Sequence, residues 1–421
     1  MSSKSVLRRL CLTTALGAGL MLSACATAPK APEAPAATAV ASAEQPTVIL
    51  VSIDGFRAEY LNRGLTPNLS RLAETGAWGP MKPSFPTVTF PNHYTVVTGL
   101  HPDHHGIVGN NMVDEELGRF SLGNKQAVTD RRWWDDGEPI WVTAENAGVK
   151  TGTMFWPGSE AEIRGVRPSY WSTFDQSMPG NVRVDRMMQW LDLPQDQRPR
   201  LTTIYFDIVD TIGHHYGPDS QEVTGAITET DAAIGYLMDS LKARGMDQNT
   251  VVIVVSDHGM IETSPERAVY LDDYLNVDDI NIIYSGPVAF LNAKEGRKDA
   301  VQAALVGQHE RMVCWDKANI PARLVLGTHK RVSDFVCMAD DRWVIATKAR
   351  PVNKIGGAHG YDNELPNMQA IFIANGAGVV AGRQLQNIDS VDVQPLLGRL
   401  LGIEVPKGDG NAADTLPVTQ P

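Results

Sequence analysis

Six side chains in this chain have the types and spacing to do chemistry: Asp54, Asp210, His214, Asp257, His258 and His359. Carboxylate oxygens and imidazole nitrogens are donors that zinc accepts. Divided three and three, they would hold two metal ions and leave positions open for a substrate. That is the outline of metal-assisted phosphoryl transfer. A single Asp at the end of a strand could equally cap a helix. Three of them, two with a His close by, point to metal.

The elements that must position these residues read as an α/β fold. Thr47–Ile53, Thr202–Val209 and Val251–Val255 are continuous runs of strand length rather than alternating ones. Such runs indicate strands covered on both faces, as in a parallel sheet. Asp54, Asp210 and Asp257 follow them, and in open α/β sheets ligands bind at the carboxyl ends of strands. Ala370–Ala374 is a further strand. Thr66-Pro67-Asn68 opens a helix that Gly76 closes. Ile227, Ile234, Leu237 and Leu241 mark the apolar face of another, which ends at Gly245. The pattern predicts a mostly parallel central sheet with helices on both faces. Residues 275–350 are irregular and strand-rich and read as an insertion or cap. Residues 405–421 carry no pattern that predicts order.

Two further segments matter. In Pro86-Thr87-Val88-Thr89-Phe90-Pro91-Asn92-His93-Tyr94, the proline predicts a helix start near Thr89, whose amides and dipole favour a phosphate. A threonine there is either a cap or a nucleophile that a metal ion activates. Gly356-Gly357-Ala358-His359-Gly360 is a loop whose glycines allow close approach of the backbone to a site.

The chain has 421 residues and a formal net charge of −12. Lys4, Arg8 and Arg9 lie in the first 24 residues with no acid, so removing those three charges leaves −15. So acidic a chain binds nucleic acid polymers poorly. The N-terminus reads as targeting: a basic start, an apolar stretch Leu10–Leu22 too short for a confident membrane span, then Leu22-Ser23-Ala24-Cys25. These last four resemble the lipobox of bacterial lipoproteins, with Ala26 matching outer-membrane sorting; the alternative is ordinary secretion. The expectation is a signal at 1–24, a lipidated Cys25, a flexible Ala/Pro tether to residue 46 and a catalytic domain over 47–404. The protein would then be exported, periplasmic and lipid-anchored to the outer membrane. Cys314 and Cys337 remain as an even pair in an oxidising compartment, which predicts a disulfide. No obligate protein partner is evident.

Taken together, the motifs resemble the nucleotide pyrophosphatase/phosphodiesterase family of the alkaline phosphatase superfamily, in its bacterial type. Thr87–Tyr94 is similar to the family's nucleophile motif, Asp210–Pro218 to its Asp-x-x-x-His motif and Ser256–Met260 to its Asp-His-Gly-Met motif. The resemblance covers roughly 47–400. Val209 stands where many animal members have Pro, and their accessory domains are missing.

The resemblance implies an alkaline-phosphatase-like fold and two Zn2+ ions. One ion would be held by Asp54, Asp257 and His258 with the Thr89 oxygen, the other by Asp210, His214 and His359. Thr89 would be the nucleophile of a covalent phosphothreonyl intermediate. Asn110 would hydrogen-bond a phosphoryl oxygen, with Asn111 competing for that role by one position. His93, His104, His105 and His215 are expected to be supporting or structural. Phe90 and Phe174 are expected to stack a nucleobase, with Tyr205 on a strand as either core or site, and Trp156 and Trp171 in the core. The substrate class is a small nucleotide diester or pyrophosphate, cleaved to a nucleoside 5′-monophosphate. A phosphomonoesterase or a phospholipid-type phosphodiesterase on the same scaffold is the alternative. A sulfatase lacks its motif here. A non-catalytic lipoprotein is disfavoured by the presence of all six ligands and the threonine.

Overall fold

The computed structural model describes residues 45–420; residues 1–44, including Cys25 and the signal, lie outside them. Thr47–Ile53 forms the centre of a nine-stranded sheet. Leu201–Phe206 and Thr250–Val255 flank it, both parallel to it. Outward on one side come Thr151–Met154 and Tyr170–Trp171, again parallel. On the other side Ala370–Gly376 runs antiparallel between Thr250–Val255 and Ala77–Lys82. The short strands Arg383–Gln384 and Ile388–Asp389 both pair with Ala77–Lys82.

The central strand shows why its sequence is continuously apolar. Val48 and Leu50 pack into one core with Tyr94, Val97, Trp141 and Leu396. Ile49, Val51 and Ile53 pack into a second core with Leu69, Val184, Ile227 and Leu237. Alternate side chains point to opposite faces, so a strand buried on both faces must be apolar at every position. Helices Thr89–Thr98, Ile140–Asn146 and Val393–Leu401 cover the first face. Pro67–Glu74, Gly180–Leu191 and Gln221–Ala243 cover the second.

The insertion builds its own five-stranded antiparallel sheet from Ile280–Tyr284, Val288–Ala293, Phe335–Ala339, Met312–Asp316 and Gly307–Gln308. Its small core includes Leu291, Val301, Leu305 and Phe335. Cys314 and Cys337 stand directly opposite on neighbouring strands and are disulfide-bonded. Among the described residues no helix is long and apolar enough to cross a membrane.

Two sequence expectations change. Residues 405–420 are ordered against the fold: Val418 is fully buried in the main core, and the Asp409 amide donates to Gly99 O at 2.7 Å. No periodicity announces this because the contacts are made one residue at a time. The strand expected to run to Val209 ends at Phe206, and Ile208–Tyr216 is a helix. Asp210 and His214 therefore sit one helical turn apart. A short apolar run looks the same in either conformation. Here Val209 and Ile212 pack into the second core from the helix.

Candidate active site

The six residues converge at the carboxyl end of the sheet. Asp54 follows the central strand directly, and its amide donates to Phe206 O. Asp257 lies just past Thr250–Val255, and its Oδ1 accepts the Gly55 amide at 3.1 Å. Gly55 has φ +67°, and a Cβ there would meet the Asp210 Cα at 3.0 Å. Gly356–Ala358, expected as a loop, is a short strand paired antiparallel with Ile261–Thr263, and it lies equally close to the Asp210 helix, since a Cβ on Gly357 would meet Gly213 O at 2.5 Å. These glycines let three segments share one small volume.

Within that volume each acid keeps one oxygen free of hydrogen bonds, and Asp54 and Asp257 have the other one tied. Tyr205 donates its hydroxyl to Asp54 Oδ2 at 2.6 Å. Asp54 Oδ1, Asp257 Oδ2 and Asp210 Oδ1 are buried with no hydrogen-bond partner. The histidines repeat the pattern. His258 Nδ1 lies 2.8 Å from Gly259 O, His214 Nδ1 2.8 Å from Gly357 O and His359 Nδ1 2.9 Å from Thr87 O. A carbonyl can only accept, so each Nδ1 carries the proton and each Nε2 presents a lone pair.

The free atoms fall into two groups. Asp210 Oδ1 is 3.5 Å from His214 Nε2 and 3.6 Å from His359 Nε2, and the two Nε2 atoms are 3.0 Å apart. His258 Nε2 is 2.9 Å from Asp257 Oδ2, 3.6 Å from Asp54 Oδ1 and 3.4 Å from Thr89 Oγ1. Ligand atoms around a tetrahedral zinc with bonds of about 2.0–2.1 Å stand roughly 3.3 Å apart. Both groups fit a metal ion of that size.

Proximity alone also groups His258 with Asp210 and His359, and His93 with Asp54 and Asp257. The His258 and His359 rings stack with centroids 3.6 Å apart, so the two groups adjoin. His93 is a poorer ligand than His258 because both its nitrogens are engaged, Nε2 with Ser52 Oγ at 2.8 Å and Nδ1 with Thr89 O at 2.9 Å. His105 is buried against Thr95 and Pro91 O, and His104 pairs with Asp409 at the surface. His215 stands beside Lys354.

Charge supports the same reading. Burial, then the anions of Asp257 and Asp210, push the Asp54 carboxyl well above the ordinary carboxylate range. Burial also raises Asp210. Burial opposes ionisation of Asp257 too, but His258 and His93 beside it hold its carboxyl well below the usual range. His359 is held well below the usual imidazole value by burial and by the neighbouring His258 and His214. Three carboxylates in one buried volume need added positive charge to ionise together.

Thr89 is the first residue of the helix Thr89–Thr98 and is mostly buried. Asn110, rather than Asn111, reaches this helix start: its Oδ1 accepts the Phe90 amide at 2.8 Å. That leaves the Asn110 amide group as a donor beside Thr89.

A cleft adjoins the candidate ligand groups through Tyr205, and Phe90, Trp156, Phe174 and Tyr205 line it together with Lys125 and Glu160. Phe90 rests on Phe120 and Trp134, each with centroids at 5.9 Å. Phe174 is 40% exposed, and its ring centre lies 5.7 Å from that of Tyr205. Tyr205 thus contributes its ring to the cleft and its hydroxyl to Asp54. Trp156 is buried, as expected, and also borders the cleft. Trp171 is not a core residue: it is 39% exposed, with the Arg167 guanidinium 5.1 Å over its ring. Lys125 and Glu160 carry no sequence signal, since isolated charged residues are usually solvated surface.

A family profile described as type I phosphodiesterase/nucleotide pyrophosphatase matches residues 48–362. An uncharacterized pyrophosphatase/phosphodiesterase of Schizosaccharomyces pombe is 37% identical, over 89% of this chain and 80% of that protein. Ectonucleotide pyrophosphatase/phosphodiesterase family member 1 of Homo sapiens is 37% identical over 87% of this chain, which spans only 41% of the human protein. Among solved structures, murine ectonucleotide pyrophosphatase/phosphodiesterase 5 superposes with a TM-score of 0.84 at 34% identity, covering 88% of this chain and 99% of that one. An inactive threonine-to-alanine form of the same murine protein, in complex with AMP, also scores 0.84. The chain belongs to the type I phosphodiesterase/nucleotide pyrophosphatase family, hydrolases of the alkaline phosphatase superfamily.

Proposed function

We propose that this protein hydrolyses nucleotide phosphodiester or pyrophosphate bonds to nucleoside 5′-monophosphates, with Thr89 as a covalent nucleophile. The observation that carries the reading is a pair of adjoining ligand groups, one of them reaching Thr89, beside an aromatic cleft. Asp54, Asp257 and His258, with the Thr89 oxygen, would hold one zinc ion, and Asp210, His214 and His359 the other. Bound there, the two ions supply Lewis-acid stabilisation to the attacking and leaving oxygens.

The residues of the chain account for the rest. Thr89 Oγ1 gives up its proton to solvent and attacks phosphorus, and the bond to the leaving oxygen breaks, giving a phosphothreonyl diester and a leaving group that takes its proton from water. Asn110 donates to a non-bridging phosphoryl oxygen while its own Oδ1 stays fixed by the Phe90 amide. Phe90 and Phe174 hold the base, and stacking of this kind tolerates any base. Water then attacks phosphorus, the Thr89–phosphorus bond breaks, and the monophosphate leaves. Two in-line displacements retain configuration at phosphorus. The AMP bound to the inactive murine relative supports a nucleotide in such a cleft.

The test is Thr89→Ala on a p-nitrophenyl ester of a nucleoside 5′-monophosphate, beside a phosphorylcholine ester and a simple monoester. The expected result is fastest turnover of the nucleotide by the wild type and none by the variant. A variant that turns over at the wild-type rate overturns the nucleophile. A faster phosphorylcholine ester or monoester overturns the substrate class. Elemental analysis is expected to find two zinc ions per chain.

Export and lipid anchoring at Cys25 belong to the same proposal, resting on the segment Leu22–Cys25. Palmitate labelling that survives Cys25→Ser would sink the anchor.

A further inference from the structure

Arg331 comes from the insertion, yet it is buried in the catalytic domain at 4% exposure. Its Nε donates to Asp114 Oδ2 at 3.0 Å. Its Nη1 donates to Gly106 O at 2.9 Å and to Trp133 O at 2.7 Å, and its Nη2 donates to Arg132 O at 3.0 Å. Gly106 and Asp114 are the two ends of the segment that carries Asn110. One guanidinium therefore closes that segment from both sides. Gly106 is required for the contact: at φ +78°, a Cβ there would meet Arg331 Nη1 at 2.9 Å.

The neighbouring residues reinforce the closure. Asp103, just before Gly106, accepts the amides of Gly327, Thr328 and His329. Asp114 Oδ1 accepts the Glu116 amide, and Lys330 adds an ion pair to Oδ2 at 2.9 Å. Burial opposes ionisation of Asp114, but Lys330 and Arg331 hold its carboxyl far below the usual range. The Trp133 ring lies 4.9 Å under the guanidinium, and the next residue, Trp134, supports Phe90.

We propose that Arg331 is a positioning residue for the phosphoryl transfer: it sets Asn110 by clasping Gly106 and Asp114, so that the insertion is part of the catalytic apparatus. This rests on the role given to Asn110 above. The reason is geometric. A donor to phosphoryl oxygen works only when held within a fraction of an ångström of its place, and Asn110 lies on a segment with no regular structure between Gly106 and Asn111.

The experiment measures kcat and KM on a nucleotide diester for Arg331→Lys, Arg331→Gln and Asp114→Asn, each alone and combined with Asn110→Ala. Arg331→Gln and Asp114→Asn are each expected to lower kcat about tenfold with KM nearly unchanged. In the Asn110→Ala background the same substitution is expected to cost less than about twofold, because nothing remains to be positioned. Arg331→Lys, which keeps a charged donor toward Asp114, is expected to retain more activity than Arg331→Gln. Equal losses in both backgrounds would overturn the proposal and leave Arg331 as general support for the fold. A silent Asn110→Ala would overturn the assignment of Asn110 itself, and the clasp with it. If neither Arg331 variant yields soluble protein, Asp114→Asn carries the comparison, since it leaves the carbonyl contacts of the guanidinium in place.

Discussion

The Nε2 atoms of His214 and His359 face each other at 3.0 Å, and each ring has its Nδ1 on a backbone carbonyl. Two neutral imidazoles in this arrangement direct lone pairs at one point, which is unfavourable unless a cation sits between them. Asp210 Oδ1 completes the set. His214→Ala is expected to reduce bound zinc from two ions per chain to about one, read by elemental analysis after gel filtration. Two ions retained at wild-type resistance to chelator would refute the assignment.

Tyr205 donates to Asp54 Oδ2 while its ring lines the cleft. Tyr205→Phe keeps the ring and removes the donor, so Asp54 loses the partner that orients it. Metal affinity or activity is expected to fall about 10–100-fold, as for other outer partners of metal ligands. A chelator titration of activity reads the loss, and KM for the nucleotide is expected to move little. Unchanged chelator sensitivity would show that Tyr205 acts only through its ring.

The two aromatic walls differ in what supports them. Phe90 rests on Phe120 and Trp134, whereas Phe174 is exposed and touches Phe155 and Tyr205. Phe174→Ala is expected to raise KM for a nucleotide diester about tenfold, within the range for loss of one stacking face. Turnover of bis-p-nitrophenyl phosphate, which has no base, serves as the control and is expected to change little. Equal effects on both substrates would remove Phe174 from the base site.

Asp392 gives a pH dependence away from the metal groups. Burial pushes its carboxyl up to about 6, against the amides of Asp389 and Asn411 that it accepts. The unfolded value is about 3.9, so the folded state holds the proton more tightly. The contribution of Asp392 to stability is full below about pH 4 and is lost as pH rises through about 6. Asp392→Asn is expected to remove this component. Between about pH 4.5 and about pH 7.5 the variant should therefore lose less unfolding free energy, or gain more, than the wild type. Parallel denaturation curves for the two proteins would count against it.

Much of the scaffold was legible because both-face burial forces apolar runs. Thr47–Ile53 and Thr250–Val255 follow that rule residue by residue. The helix start at Thr89 was legible from Pro91, and Pro67 marks its own helix in the same way. The strand before Asp210 ends at Phe206 rather than at Val209 because a short apolar run does not encode its conformation. Trp171 is exposed rather than in the core because its two-residue strand lies at the sheet edge.

By itself, the sequence determined which side chains could do chemistry and in what order the motifs come, because those are matters of residue type and local spacing. Only the tertiary structure decided which oxygen of each acid stays free, which nitrogen of each imidazole faces inward, that Tyr205 serves Asp54, and that Arg331 closes the Asn110 segment. Apart from His258 Nδ1, which faces the carbonyl of its neighbour Gly259, these depend on hydrogen bonds between segments far apart in the chain. Such bonds are set by how the layers pack, and no local pattern records them.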